Sequence, residues 1–452
     1  MKPSPIAHRC PSLILLVLAL LGSGKGEAAP LYKVRAEFPQ TNGKVNCIAI
    51  DETHGIVYIG GFFTEVGGVP RGGIAALDAK TGALLPWDAS TDGIVFTIAL
   101  DGDYIYVGGL FTQFGGLSRN NAAAIDRINV VLPWAPEPDG YVRVIKVTSS
   151  VIYLSGDFLI VGGENRTYFA DVEKEGGSVL NWAPEGPGEA RAMAISGSNL
   201  YLGGPFTTIN NTTRNRLAAV SNAGNLLSWN PDADAPVSDL YFDRNALYVA
   251  GSFTQVGGAP RQRLALLNPS GVPLPWAPQA DATVKHLTKT GNRIYAGGNF
   301  TEINGQPRPG LAAIDADGSL LAWNPAAESL VEAIAVSDGT VYVGGDFDTI
   351  DGVPRKGFAA IYDPALLPKP ILSLKGKRFQ RTSRSSVLLH GSSKNANRVE
   401  VKGRKGPFRP AKGAANWSFR SRLKPGRSRF TIRALNVADA TSAPTRAIIV
   451  RK

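Results

Sequence analysis

Apolar residues along this chain fall in short runs, most of them ending at a Gly, Pro or Asp cluster. One stretch shows the pattern four times: Val95 to Leu100, Tyr104 to Phe111, Asn121 to Asp126 and Val130 to Trp134. Between them lie Asp101-Gly102-Asp103, then Phe114-Gly115-Gly116, then a loop from Pro136 to Gly140. Runs of this length, rich in β-branched and aromatic residues and bounded by turn formers, predict strands. No apolar stripe at helical spacing interrupts them, so the chain is read as all-β.

The pattern repeats. A Tyr, a pair of small residues and then a Phe recur with Tyr at 58, 106, 153, 201, 248, 295 and 342, spaced by 47 or 48 residues. Arg71, Arg119, Arg166, Arg214, Arg261, Arg308 and Arg355 keep step, as do Trp87, Trp134, Trp182, Trp229, Trp276 and Trp323. Four strands per period of about 45 residues is the mark of a β-propeller blade. Seven blades are expected, near 44–93, 94–140, 141–188, 189–235, 236–282, 283–329 and 330–368. The seventh lacks its Trp run, and Leu31 to Pro39 carries Phe38-Pro39 where other copies carry Trp-x-Pro. That N-terminal segment is expected to complete the last blade and to remove an exposed sheet edge.

The repeat Tyr-x-Gly-Gly-x-Phe-Thr-x-Val-Gly-Gly-x-x-Arg, followed by Ala-Ala-x-Asp and Leu-Leu-x-Trp-x-Pro, resembles the "delta-60"-like propeller repeats of secreted and surface bacterial proteins. The resemblance spans roughly 44 to 363 and implies fold and location; it brings no catalytic motif. The third copy departs most, with Ser155 for the first Gly and Glu164-Asn165 ahead of its Arg. Ala76-Leu77-Asp78 and Thr81-Gly82 before Trp87 are similar to the tryptophan-docking motif of quinoprotein dehydrogenases. The Trp is one residue too far, however, and no other copy has the Thr-Gly. Kelch repeats place their Tyr after the glycines, and WD and sialidase signatures are absent.

Residues shared by every copy are expected to be structural. Trp and Tyr fill the space between blades, while each Arg bridges loop carbonyls or a neighbouring carboxylate. Function is expected where copies differ. Asp88, Asp92, Glu137, Asp139, Glu185, Glu189, Asp232, Asp234, Asp281 and Glu328 lie in the loops after the fourth runs and are expected on one face. They form either a solvated rim with local partners or a docking surface for a cationic partner or divalent ions. Asp315-Ala316-Asp317-Gly318 reads as a hairpin turn. His8, His54, His286 and His390 have no metal-ligand spacing. Lys285 and His286 fall on a first strand, the one expected nearest the axis, and are candidates to line a central channel. No catalytic motif, cofactor or metal is implied.

Composition then divides the chain. It has 452 residues and a net charge of +11. Residues 1–29 read as an export signal: Lys2 and Arg9 precede the apolar run Leu13 to Leu21, which is too short for a bilayer span of about 20 residues. Cys10 would leave with it, and Cys47 would remain as a lone, inert, buried thiol. Residues 30–368 hold 23 Lys+Arg against 34 Asp+Glu; residues 369–452 hold 22 against 2. Alternating runs in that basic segment, with Arg398 to Val401, Asn416-Trp417-Ser418 and Arg429 to Leu435, resemble a bacterial immunoglobulin-like β-sandwich.

The expected product is a secreted, periplasmic or surface monomer that acts as a non-enzymatic binding scaffold for a protein or polysaccharide partner. Its basic module, 371–452, would attach to anionic polymers or dock on the acidic face. The alternative is a carbohydrate-active lyase or hydrolase with a site at the channel. Carboxylates, His and Tyr converging at one mouth would favour it.

Overall fold

The computed structural model describes residues 32–375, 379–383, 385–404, 406–437 and 441–451. The expected export signal lies outside them. Among the described residues the chain is all strand and turn, and no helix is long and apolar enough to cross a membrane. Each repeat forms an antiparallel three-stranded sheet, such as Ile94–Asp101, Tyr104–Leu110 and Ala122–Asp126 in the second. Between the second and third strands stands a two-residue-a-side hairpin, here Gln113–Phe114 with Leu117–Ser118. Its turn residues Gly115 and Gly116 both have positive φ, 56° and 80°, which two-residue hairpin turns require.

The expected fourth strand is shorter than the alternation suggests. Val130 to Trp134 contributes one bridge, Ile125 to Val131, made by two amide bonds, Leu132 N to Ala124 O and Asp126 N to Val130 O. Two features stop the ladder. Arg119 Nη2 takes the Leu132 carbonyl (3.1 Å), and Pro133 has no amide to offer. The chain then turns Trp134 toward the next repeat.

Neighbouring sheets meet through a small-for-large exchange. A Cβ on Gly60 would stand 2.6 Å from Val95 of the next repeat, and Gly108, Gly203 and Gly297 meet Val142, Val237 and Val331 in the same way. In the third repeat the first glycine is Ser155, and there the facing residue shrinks to Ala190, whose amide bonds the Ser155 hydroxyl at 2.9 Å. Gly344 of the last repeat meets Val45 of the first. First strands lie side by side from Lys44–Asp51 through to Leu330–Ser337, which touches both its predecessor and Lys44–Asp51.

The ends of the repeat array are laced together. Lys33–Val34 pairs antiparallel with Phe358–Tyr362, giving the last sheet a fourth strand. Phe38 sits edge-on to Tyr342 at 5.7 Å, as each Trp sits edge-on to its own repeat's Tyr at 4.9–5.2 Å.

Residues beyond Pro370 form two further sheets. Ile371–Lys375, Ser386–Lys394 and Asn416–Arg422 make one; Phe379–Thr382, Thr445–Arg451, Gly426–Leu435, Arg398–Lys402 and Arg409–Pro410 make the other. They share a core around Trp417, Phe430, Val399 and Ile432.

Candidate functional site

The repeated polar residues spend themselves on the backbone. In every copy the Arg donates from Nη1 to the carbonyl just before it, and in the first six from Nη2 to a loop carbonyl thirteen or fourteen residues on, as Arg119 does to Ser118 and Leu132. In the last copy Arg355 Nη2 reaches instead the carbonyl of Arg35, from the N-terminal segment. Of the seven, only Arg71 has a carboxylate within ion-pair range among the described residues, Asp88 at 3.6 Å. Trp87, Trp134, Trp182 and Trp276 donate from the indole to a carbonyl of the following repeat, 2.9–3.1 Å away. Trp229 and Trp323 have buried indole nitrogens without a partner.

The ten loop carboxylates separate by use. Asp92, Asp139, Asp234, Asp281 and Glu328 each accept two consecutive backbone amides of the hairpin that follows, at 2.7–3.0 Å. Asn42 does the same for Thr64 and Glu65 in the first repeat. Asp88 accepts from Ser90, and Glu137 from Asn120. Glu185 and Asp232 are exposed. Glu189 departs from the loop set: it is buried and stands between Arg143 and Arg191, at 3.7 and 3.6 Å, three residues ahead of the inner strand Ala192–Ser196. A cavity of about 600 Å³ lies beside Asp92, Glu137 and Asp139. Among the described residues no group of three or more His, Cys, Asp or Glu is placed to hold a metal ion.

These caps predict acid sensitivity. Burial pushes the Asp92, Asp234 and Asp281 carboxyls up, but a Thr hydroxyl and two amides together outweigh it and hold them below the ordinary value. For Glu328 the Thr349 hydroxyl leads the same downward shift. A lowered folded pKa contributes stability that is complete above the unfolded value, about 4, and is lost as pH falls through the folded value. The melting temperature is therefore expected to hold from neutral pH to about 5 and to drop below about 4. Asp281→Asn, which keeps an acceptor as Asn42 does, should flatten that drop in a pH series of thermal melts.

A different set of residues faces the space between the first strands. In six repeats the first strand carries a β-bulge immediately after a Val, at Asn46, Phe96, Arg143, Ser238, Lys285 and Glu332. Arg191 holds the equivalent place in the fourth. All seven line one cavity of about 660 Å³. Bulges re-aim side chains in this way. Lys285 and His286 both line it, and so does Cys47, half-buried rather than fully buried, with its thiol pushed up by burial.

The cavity is charged. Glu332 is held by Lys44 at 2.5 Å and lies 3.9 Å from Lys285. The Arg143 guanidinium stacks over Phe96 at 4.3 Å and Tyr141 at 5.0 Å. Asp239 accepts the backbone amides of Leu240 and Leu287, and lies 3.9 Å from His286 Nδ1. Lys146 makes no hydrogen bond or ion pair among the described residues, and desolvation pushes its pKa down against the pull of Asp239. Sequence reasoning reached Lys285 and His286 and missed the rest. The available signal was the position directly after the repeated Val, which holds six residue types in seven copies.

Residues 245–273, 292–320 and 337–359 match a family described as a domain of unknown function (DUF5122) beta-propeller. No curated protein matches the chain. Among solved structures, the computationally designed Ika8 protein aligns over 74% of this chain and all of its own, at 15% identity and TM-score 0.45. The extracellular domain of BT4673 from B. thetaiotaomicron, a proposed one component system, aligns over 95% of this chain at 10% identity and TM-score 0.48. This chain covers 59% of that one. The chain is a β-propeller repeat protein.

Proposed function

We propose that this repeat protein is a non-enzymatic binding scaffold of the cell exterior: a seven-bladed propeller over 30–368, closed by the segment 31–39, followed by a basic immunoglobulin-like sandwich over 369–452. One observation carries the reading. The repeated Arg, four of the six repeated Trp and five of the loop carboxylates are committed to the protein's own backbone, whereas the position after each repeated Val is free to vary and faces a cavity. That division suits a rigid frame presenting a variable surface. The head-to-tail circuit of first strands and the Gly344–Val45 contact support closure.

The basic module supports attachment to anionic polymers. Arg420, Arg422, Lys424, Arg427 and Arg429 are all exposed, on or between two consecutive strands, Asn416–Arg422 and Gly426–Leu435. A surface of this charge density binds polyanions in a salt-dependent way. The full chain is expected to be retained on immobilised heparin at low salt and released as salt rises. Arg420→Gln, Arg422→Gln, Arg427→Gln and Arg429→Gln together should move elution to markedly lower salt. Retention indifferent to salt, or to these substitutions, would remove attachment from the reading.

His286, Asp239 and Tyr141 near one cavity favour a second reading, a carbohydrate-active lyase or hydrolase. Against it, Asp239 gives its oxygens to backbone amides and Glu332 is held by lysine. Depolymerisation of a neutral or acidic polysaccharide by the full chain, abolished in His286→Ala, would establish the enzyme instead.

A further inference from the structure

We propose that the cavity between the first strands is a binding site for a small oxyanion ligand, one carrying carboxylate, sulfate or phosphate groups. Charge is the first argument. The cavity is formed by Lys44, Arg143, Lys146, Arg191 and Lys285, against the carboxylates of Asp239 and Glu332 at its wall and Glu189 beside its arginines. Five cations face three anions inside a segment whose overall balance is 23 basic to 34 acidic residues. The surplus of two positive charges is therefore local and opposite in sign to its surroundings.

Availability is the second argument. Each of Glu332 and Glu189 is shared between two cations, so neither neutralises its neighbours fully. Arg143 Nε and His286 Nδ1 have no hydrogen-bond partner among the described residues, their facing carboxylates, Glu189 and Asp239, standing 3.7 and 3.9 Å away. Half-buried Lys146 makes no ion pair or hydrogen bond among the described residues, and Asp239 acts on its ammonium only from beyond ion-pair range. Partly desolvated cations that lack a close hydrogen-bonding partner are under-satisfied, and an anion between them would supply one. Size is the third. About 660 Å³ is in the range of pockets that enclose small ligands. Phe96 and Tyr141, which stack on Arg143, hold its guanidinium in place and limit how far it can turn.

This inference deepens the binding reading by naming the ligand class of the cavity. It is separable from polymer attachment, which rests on the exposed arginines of the C-terminal strands. Calorimetric titration of the full chain with sodium sulfate, citrate and glucuronate tests it. Saturable binding of one equivalent by at least one of them is expected, weakening as ionic strength rises. Lys146→Met and Lys285→Gln, each with an unchanged melting temperature, should each weaken it at least tenfold. The fourfold arginine-to-glutamine variant of the C-terminal strands should leave it unchanged. Tighter binding of glucuronate than of sulfate would assign a sugar acid, and the reverse a free oxyanion; either supports the site. The proposal is overturned by absence of saturable binding, by binding that both lysine variants retain, or by binding lost only with the C-terminal arginines.

Discussion

Trp134→Ala is expected to cost about 3–5 kcal/mol of stability, the range for removing a large aromatic side chain from a packed interior. Trp134 is 0% exposed, meets Tyr106 edge-on at 5.1 Å and donates its indole N–H to Glu173 O at 2.9 Å. The substitution therefore opens a void between two repeats and strips a buried carbonyl of its donor. Thermal melting should register it as a fall on the order of 10 °C, given about 2–4 °C per kcal/mol for chains of this class. A paired comparison separates packing from hydrogen bonding. Trp134→Phe loses the indole donor, whereas Trp229→Phe loses a nitrogen that has no partner. The first should cost about 1 kcal/mol more than the second. Equal costs would mean that the indole bond to the next repeat contributes nothing to the joint.

Removing residues 32–39 is expected to have the second largest effect, and of a different kind. It takes away Phe38, 2% exposed, and Arg35, 4% exposed, whose guanidinium donates to Ala79 O, Lys80 O and Thr340 Oγ1 and stacks on Phe38 at 4.5 Å. It also unpairs Phe358–Tyr362 and deprives Arg355 of the Arg35 carbonyl. A bared strand edge is a template for another chain. The truncated protein should melt lower and form dimers or larger species by sedimentation, while the intact chain stays monomeric. Phe38→Ala and Arg35→Ala should each reproduce part of the loss and combine non-additively, because one side chain rests on the other. A monomeric truncation with an unaltered melt would contradict the lacing of the two ends.

The repeat was legible because its residues do local work that every copy needs. A guanidinium that must reach two loop carbonyls, and an indole that must reach the next repeat, cannot be exchanged for other types, so they stand out at fixed spacing. The fourth run was over-read because alternation in Val130 to Trp134 does not reveal that Arg119 already occupies the Leu132 carbonyl. The cavity was illegible for the opposite reason. Asn46, Phe96, Arg143, Arg191, Ser238, Lys285 and Glu332 share a position but, the two Arg apart, no residue type, so no search for repeated residues finds them. Loop membership likewise misassigned Glu189, since its place at the end of the loop, three residues before an inner strand, sets it against Arg143 and Arg191.

The glycine-to-valine contact between neighbouring sheets has a further consequence. Gly344 meets Val45 just as Gly60 meets Val95, so the joint that holds the two ends is of the same kind as the joints crossed by continuous chain. Sequential order and spatial order are thereby decoupled. A gene permuted by one repeat, with its termini moved to another junction and the lacing segment moved along with them, would encode the same assembly.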